Sequence, residues 1–163
     1  MNNLSVILSK CQRKTSWGLV DDPIAQDILK SPYFTRLEQS INSLNLPPLS
    51  PLGFGTFHLV LSAGNNIIRL GLGTIQERPD ISEVLQPTIQ EQIGTLKYEI
   101  MPKADTLTVN EQHLEDITNS LREQGYAWGD AGLDNIGLIE GKPVIIDSDG
   151  IRQLKTKNTL KIK

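Results

Sequence analysis

Trp128-Gly129-Asp130-Ala131-Gly132-Leu133-Asp134-Asn135 leads into two apolar stretches that close on Ile145-Ile146-Asp147. An aspartate and an asparagine stand five positions apart on a loop, and a second aspartate follows twelve residues later at the end of a strand. Ile136 to Ile139, the turn Glu140-Gly141-Lys142 and Pro143 to Ile146 read as a hairpin. A hairpin returns the chain on itself, so Asn135 and Asp147 are expected to meet at its open end. Their oxygens would suit a magnesium ion, which takes hard oxygen ligands in octahedral geometry. Asp130 would lie one loop-width away, where a carboxylate can accept a proton from an incoming hydroxyl. Asp and Asn favour turns in any protein, which explains each residue singly but not the ordered set.

Upstream, the pattern divides the chain into residues 1–50, 51–103 and 104–163. The first part reads as helical: Asp22-Pro23 and Ser31-Pro32 each look like an N-cap with proline at the first helical position. Phe34, Leu37, Ile41 and Leu44 then recur at helical spacing within a helix expected from Pro32 to Leu44. The run Pro47-Pro48-Leu49-Ser50-Pro51 ends it. Strands follow, with Phe57, Leu59 and Leu61 alternating, a turn at Gly64-Asn65-Asn66, and Ile67-Ile68-Arg69-Leu70 behind it. Val84 to Ile93, interrupted by Pro87, and Thr95 to Met101 are two more expected strands. Leu114, Ile117 and Leu121 mark an amphipathic helix that starts near Thr108 or Asn110 and ends at Gly125.

The D-x-x-x-x-N loop, the hairpin and the closing Ile145-Ile146-Asp147 resemble the catalytic and metal-binding segments of the protein-kinase-like superfamily. The Gly129-Asp130 pair looks like that of its aminoglycoside-type and choline-type small-molecule kinases. The resemblance implies Asp130 as catalytic base, Asn135 and Asp147 as metal ligands, and ATP with Mg2+ as cofactors. Asp149 is then either a second magnesium ligand or a cap for the turn before Gly150. Leu52-Gly53-Phe54-Gly55-Thr56-Phe57-His58 resembles the family's glycine-rich loop, so Gly53, Gly55 and Thr56 would lie over the phosphates. His58 stands where the family pattern has its third glycine, and an ordinary glycine hairpin would look the same.

Arg69 falls where the family places a phosphate-gripping lysine on its third strand. Arginine can bind phosphate through two N–H groups, though not as a point charge, and a solvent-facing strand arginine is the alternative. Tyr98-Glu99-Ile100-Met101-Pro102 resembles the fifth strand and hinge, so Glu99 would meet the adenine edge through its backbone and Met101 would lie near the purine face. A core methionine is the plainer reading of Met101. The family's glutamate partner for the gripping residue has no obvious match. Glu77 and Glu83 are the local choices, and Glu38, presented by the N-terminal helix, is the expected substitute.

The implied fold is α+β: an antiparallel N-lobe sheet and hinge, then an abbreviated C-lobe with one long helix and the catalytic hairpin, the whole preceded by N-terminal helices. Thirteen residues follow Gly150, so the family's activation segment and helical substrate platform are expected to be missing. A protein partner or a second copy would then supply the acceptor surface. The expected activity is ATP-dependent transfer to a hydroxyl of a small molecule or protein. The alternative is a pseudokinase-like nucleotide-binding or interaction module without turnover, and an unrelated α+β interaction domain is a third.

Composition narrows the field. The 163 residues are 38% hydrophobic with net charge −3, enough apolar matter for a core and too acidic for a general nucleic-acid binder. Cys11 is the only cysteine, which excludes an internal disulfide, and His58 and His113 lack metal-ligand spacing. Leu4 to Leu8 is too short for a signal peptide and no stretch reaches membrane-spanning length. A cytoplasmic, membrane-free protein is expected, with export possible only by a signal-less route. The basic tail, with Arg152, Lys155, Lys157, Lys161 and Lys163, reads as a solvated terminus.

Overall fold

The computed structural model describes residues 3–54 and 58–154. It is a mixed α+β chain with antiparallel sheets and few helices, organised as two compact units. Residues 1–76 with 87–103 form the first unit, and 77–86 with 104–163 the second. Phe57 and the lysines of the tail lie outside the described residues.

The first unit opens with α1 (Leu4–Ser9), a hairpin of β1 (Gln12–Thr15) and β2 (Gly18–Asp21), α2 (Pro23–Lys30) and α3 (Phe34–Asn42). A five-stranded sheet follows, made of β3 (Ser50–Phe54), β4 (His58–Ala63), β5 (Asn66–Leu72), β6 (Ile89–Ile93) and β7 (Leu96–Pro102). Its spatial order is β3-β4-β5-β7-β6, with every pair antiparallel. Strand side chains alternate between faces, and one face carries Leu59, Leu61, Ala63, Ile68, Leu70, Leu96, Tyr98 and Ile100. These join Leu4, Leu8, Ile24, Ala25, Ile28, Leu37 and Ile41 of the helices in one core. Each fully buried leucine or isoleucine there contributes about 1.5–3 kcal/mol.

Asp22 caps α2 as its position before Pro23 predicts, accepting from the N–H of Ile24 at 2.8 Å and of Ala25 at 3.4 Å. Three local expectations differ. The first fifty residues are not all helical, because residues 12–21 form the hairpin with Trp17 at its tip. Its second strand is exposed at every position, so no buried alternation announces it. The device at Ser31-Pro32 does not start a helix. Ser31 Oγ accepts from Tyr33 N–H within the preceding turn (3.1 Å), and α3 begins at Phe34 without a side-chain cap. The strand expected from Val84 begins only at Ile89, because Pro87 has no N–H for a ladder and Val84 pairs instead with Ile145.

The second unit comprises α4 (Glu111–Glu123), β8 (Tyr126–Trp128), a 3-10 turn (Leu133–Asn135), the hairpin β9 (Ile136–Ile139) and β10 (Lys142–Ile145), and β11 (Ile151–Gln153). Asn110 caps α4 by accepting from His113 N–H (3.0 Å), and His113 Nδ1 accepts from Asn110 N–H in return (3.1 Å). That reciprocal box is the role of His113. Glu140 and Gly141 both have positive φ, 52° and 81°, which gives the two-residue turn whose twist suits a hairpin. Ile81, Val84, Ile117, Leu121, Ile136 and Ile145 form this unit's core. Among the described residues no helix is long and apolar enough to cross a membrane.

Candidate functional site

Two short antiparallel pairs build the loop region of the second unit. Strand β8 runs into Gly129-Asp130, and β11 lies beside it with Ile151 opposite Trp128. The residues after β8 and before β11 therefore meet. Gly129 N–H donates to the Gly150 carbonyl (3.0 Å), and Trp128 Nε1–H donates to the Asp149 carbonyl (2.9 Å). The contact is tight: Gly150 has φ +85°, and a Cβ there would lie 2.9 Å from Asp130 Cβ.

The second pair is β9 with β10, where Ile145 faces Ile136. Asn135, just before β9, is the knot of the region. Its Nδ2 donates to the Asp130 carbonyl (2.7 Å), and its own carbonyl accepts from the N–H of Ile146 (2.9 Å) and of Asp147 (3.3 Å). One asparagine thus ties Asp130 on one side and Asp147 on the other. Asp147 Oδ1 accepts from Asp149 N–H (3.1 Å), which closes the turn. Asp130 and Asp149 are exposed, while Asn135 and Asp147 are half-buried.

Asn135, Asp147 and Asp149 suit Mg2+ by donor chemistry. Because Asn135 donates through Nδ2, its other amide atom is the oxygen a hard cation takes, and two carboxylates lie within the next turn. Among the described residues no three His, Cys, Asp or Glu side chains form a metal-holding group. A magnesium ion held here would have a site of the mixed kind, with one or two carboxylates completed by water and phosphate oxygens.

In the first unit, Gly53 lies in β3 opposite Val60, beside an irregularity in the register between Pro51 and Gly53. Gly55 and Thr56 lie outside the described residues. Arg69 is on the third strand of the sheet in chain order, and Glu99 and Met101 are on the fifth. Those two strands are neighbours, and Arg69 stands directly opposite Glu99. Alternation puts Val60, Arg69, Glu99 and Met101 on the face away from the helices, where Glu99 is 6% and Met101 1% exposed. Arg69 Nη2 donates to His58 Nδ1 (3.2 Å). On the same face Lys97 Nζ donates to the Thr74 carbonyl (3.0 Å).

The expected pairing of Glu38 with Arg69 does not occur. Helix α3 packs on the face bearing Ile68 and Leu70, opposite to Arg69, and Glu38 accepts from Ser5 N–H instead (3.3 Å). Glu83 does not take that part either. Its carboxylate accepts from Ser120 Oγ–H, from Gln124 Nε2–H at 3.1 Å and from Ser82 Oγ–H at 2.9 Å. Burial alone would raise its pKa, but these donors together hold it below the ordinary value. Sequence reasoning gave Gly150 no part beyond ending the turn after Asp149, and gave none to the Glu99 side chain or Arg78. Only Gly150 carried a signal, in the Asp-Ser-Asp-Gly turn.

No family model matches this chain, and no curated protein matches it. A solved structure of WbdD with the kinase inhibitor LY294002 is similar to 68% of this chain at TM-score 0.47 and 9% identity. The matched part spans 35% of that protein's length.

Proposed function

We propose that this chain is an ATP- and magnesium-dependent phosphotransferase of kinase-like fold, acting on a hydroxyl of a small molecule or protein. The observation that carries the proposal is the Asn135 knot, whose side chain holds the Asp130 loop while its carbonyl holds the backbone of Asp147. The frame ties the main chain of Asp130 and of Asp147 to one asparagine, which supports reading the three as one set. A second support is that Arg69, on the third strand, stands opposite Glu99 on the fifth. Glu99 also has Gln90 on its other side, so its backbone lies within the sheet and not at an adenine edge, as the sequence led us to expect.

In this reading Asp130 accepts the acceptor's proton as its oxygen bonds to the γ-phosphorus, and the bond to the β-bridging oxygen breaks to release ADP. Asn135 and Asp147, with Asp149, would hold Mg2+, which would supply charge neutralisation at the phosphate oxygens when bound. Arg69 offers N–H groups to phosphate. Glu99, opposite Arg69 on the next strand, takes the orienting part that Glu38 and Glu83 do not.

The test is magnesium-dependent ATP consumption by the purified protein, alone and as Asp130→Asn. Loss of one general base removes roughly 10²–10⁴-fold of rate. Equal consumption by both proteins would end the assignment of Asp130. Thermal shift with Mg–ATP runs beside it, because a ligand that binds only the folded state raises the melting temperature. A shift without turnover would favour the pseudokinase-like alternative, and no shift would remove nucleotide binding altogether.

A further inference from the structure

Residues 77–86 leave the first unit between β5 and β6, yet they belong to the second unit. They form no helix, and they are laced to the frame of the metal-binding turn. Ile145 N–H donates to the Glu83 carbonyl (2.7 Å) and Leu85 N–H donates to the Ile145 carbonyl (2.9 Å). Ile81 and Val84 are 4% and 3% exposed in that unit's core, and the Glu83 carboxylate is fastened to α4 through Ser120 and Gln124. From the start of this strap, Arg78 Nη1 donates to the Ile146 carbonyl (3.0 Å).

Ile146 is the residue before Asp147, and both its peptide groups are thereby committed. Its N–H goes to the Asn135 carbonyl and its carbonyl receives Arg78. With the peptide held from both sides, the direction in which Asp147 leaves the hairpin has little freedom. We infer that Arg78 is a positioning residue for Asp147, and that the strap 77–86 holds the metal-binding turn in register by gripping Ile145 and Ile146. The inference rests on the proposed magnesium site and adds to it a residue that acts through the Ile146 carbonyl. An arginine suits this part, because its planar head gives a directional donor and its charge is always present.

The experiment uses the full chain in a Trp17→Phe background. Trp17 is 95% exposed, and its removal leaves Trp128, bonded to the Asp149 carbonyl, as the one tryptophan. MgCl2 is titrated in the presence of a saturating non-hydrolysable ATP analogue, and the midpoint is read from Trp128 emission and from thermal shift. Groups that orient a metal ligand without touching the ion change affinity about 10–100-fold. Arg78→Met, which keeps the stem and removes the guanidinium, should raise the magnesium midpoint about tenfold. Arg78→Lys, which retains a donor, should recover most of that loss, whereas a merely structural role would lower the melting temperature and leave the midpoint where it was. Should Arg78→Met fail to fold, Arg78→Lys alone decides, with a two- to threefold rise expected, roughly, from a weaker and less directional bond. An unchanged midpoint in the folded variants overturns the inference and leaves the magnesium site standing. No response to magnesium in the Trp17→Phe parent itself overturns both.

Discussion

Replacing Gly150 with alanine strikes the site through its main chain, and the structure supplies both costs. At φ +85° an L-residue is forced into the left-handed region, which costs about 1–2 kcal/mol. The new Cβ would also lie 2.9 Å from Asp130 Cβ and 3.0 Å from Asp130 N. Those atoms belong to or adjoin the backbone, so they cannot swing away as the tip of a long side chain does. Overpacking of that kind adds about 1–3 kcal/mol, for a total of about 2–5 kcal/mol. Gly141 provides the control, with φ +81° and nothing within 4 Å of its built Cβ, so that Gly141→Ala carries the conformational cost alone. Urea unfolding of the parent and both variants, followed by circular dichroism and extrapolated linearly, should show Gly150→Ala less stable than Gly141→Ala by at least about 1 kcal/mol. The part of the clash relieved by movement displaces Asp130, so magnesium-dependent ATP consumption should fall in Gly150→Ala and persist in Gly141→Ala. Equal losses of stability in the two variants would refute the close approach of Gly150 to Asp130.

Three further outcomes are expected. Asp22→Ala removes the cap of α2 and the ion pair with Arg13 (3.3 Å) at a wholly buried carboxylate, and should cost about 2 kcal/mol in urea unfolding; a loss under about 0.5 kcal/mol, the range of an ordinary surface change, would contradict the anchoring role. Donors from Ser40 and Tyr98 lower the pKa of Glu91, and Glu83 is also lowered, against its own burial, by Ser120, Gln124 and Ser82. A folded-state pKa below the unfolded value gives stability that is present above about pH 4.5 and lost as pH falls through the folded value. The melting temperature should therefore decline in acid, and a double change to Glu83→Gln and Glu91→Gln should flatten that decline. The Cys11 thiol is pushed up to about 11 by burial and by the Asp22 carboxylate, so a thiol reagent at pH 8 should label it only after unfolding; rapid labelling of the folded chain would show that α1 does not cover it.

The parts that could be read from the sequence are those whose geometry is settled by near neighbours. The β9–β10 hairpin follows from two short apolar stretches and a Glu-Gly turn, and α4 follows from Asn110 at one end and Gly125, at φ +88°, at the other. The contact of Asn135 with Asp130 spans five residues, and the hairpin then brings Asp147 to the Asn135 carbonyl, so this frame needs no long-range knowledge. The hairpin of residues 12–21 was hidden for the opposite reason: with β2 exposed throughout, no buried alternation marks it, and its ladder and the tie of Arg13 to Asp22 at its base leave no local apolar signal.

The strap defeated sequence reading because the bonds that fasten it to the rest of its unit reach far along the chain. Arg78 and Ile146 are 68 residues apart, and Glu83 lies 37 from Ser120. Nothing local distinguishes Glu83 as a helix anchor from Glu83 as an arginine partner. The same holds for Arg69, whose opposite number is decided by the pairing of β5 with β7 and not by spacing. These distant contacts also bear on the chemistry. Holding the preceding peptide from outside the turn narrows the directions open to its carboxylate, as groups that orient a ligand without touching the ion do. Asn135 from within the local motif and Arg78 from 68 residues away hold the two peptide groups of Ile146, so the inferred positioning of Asp147 draws in part on a segment outside that motif.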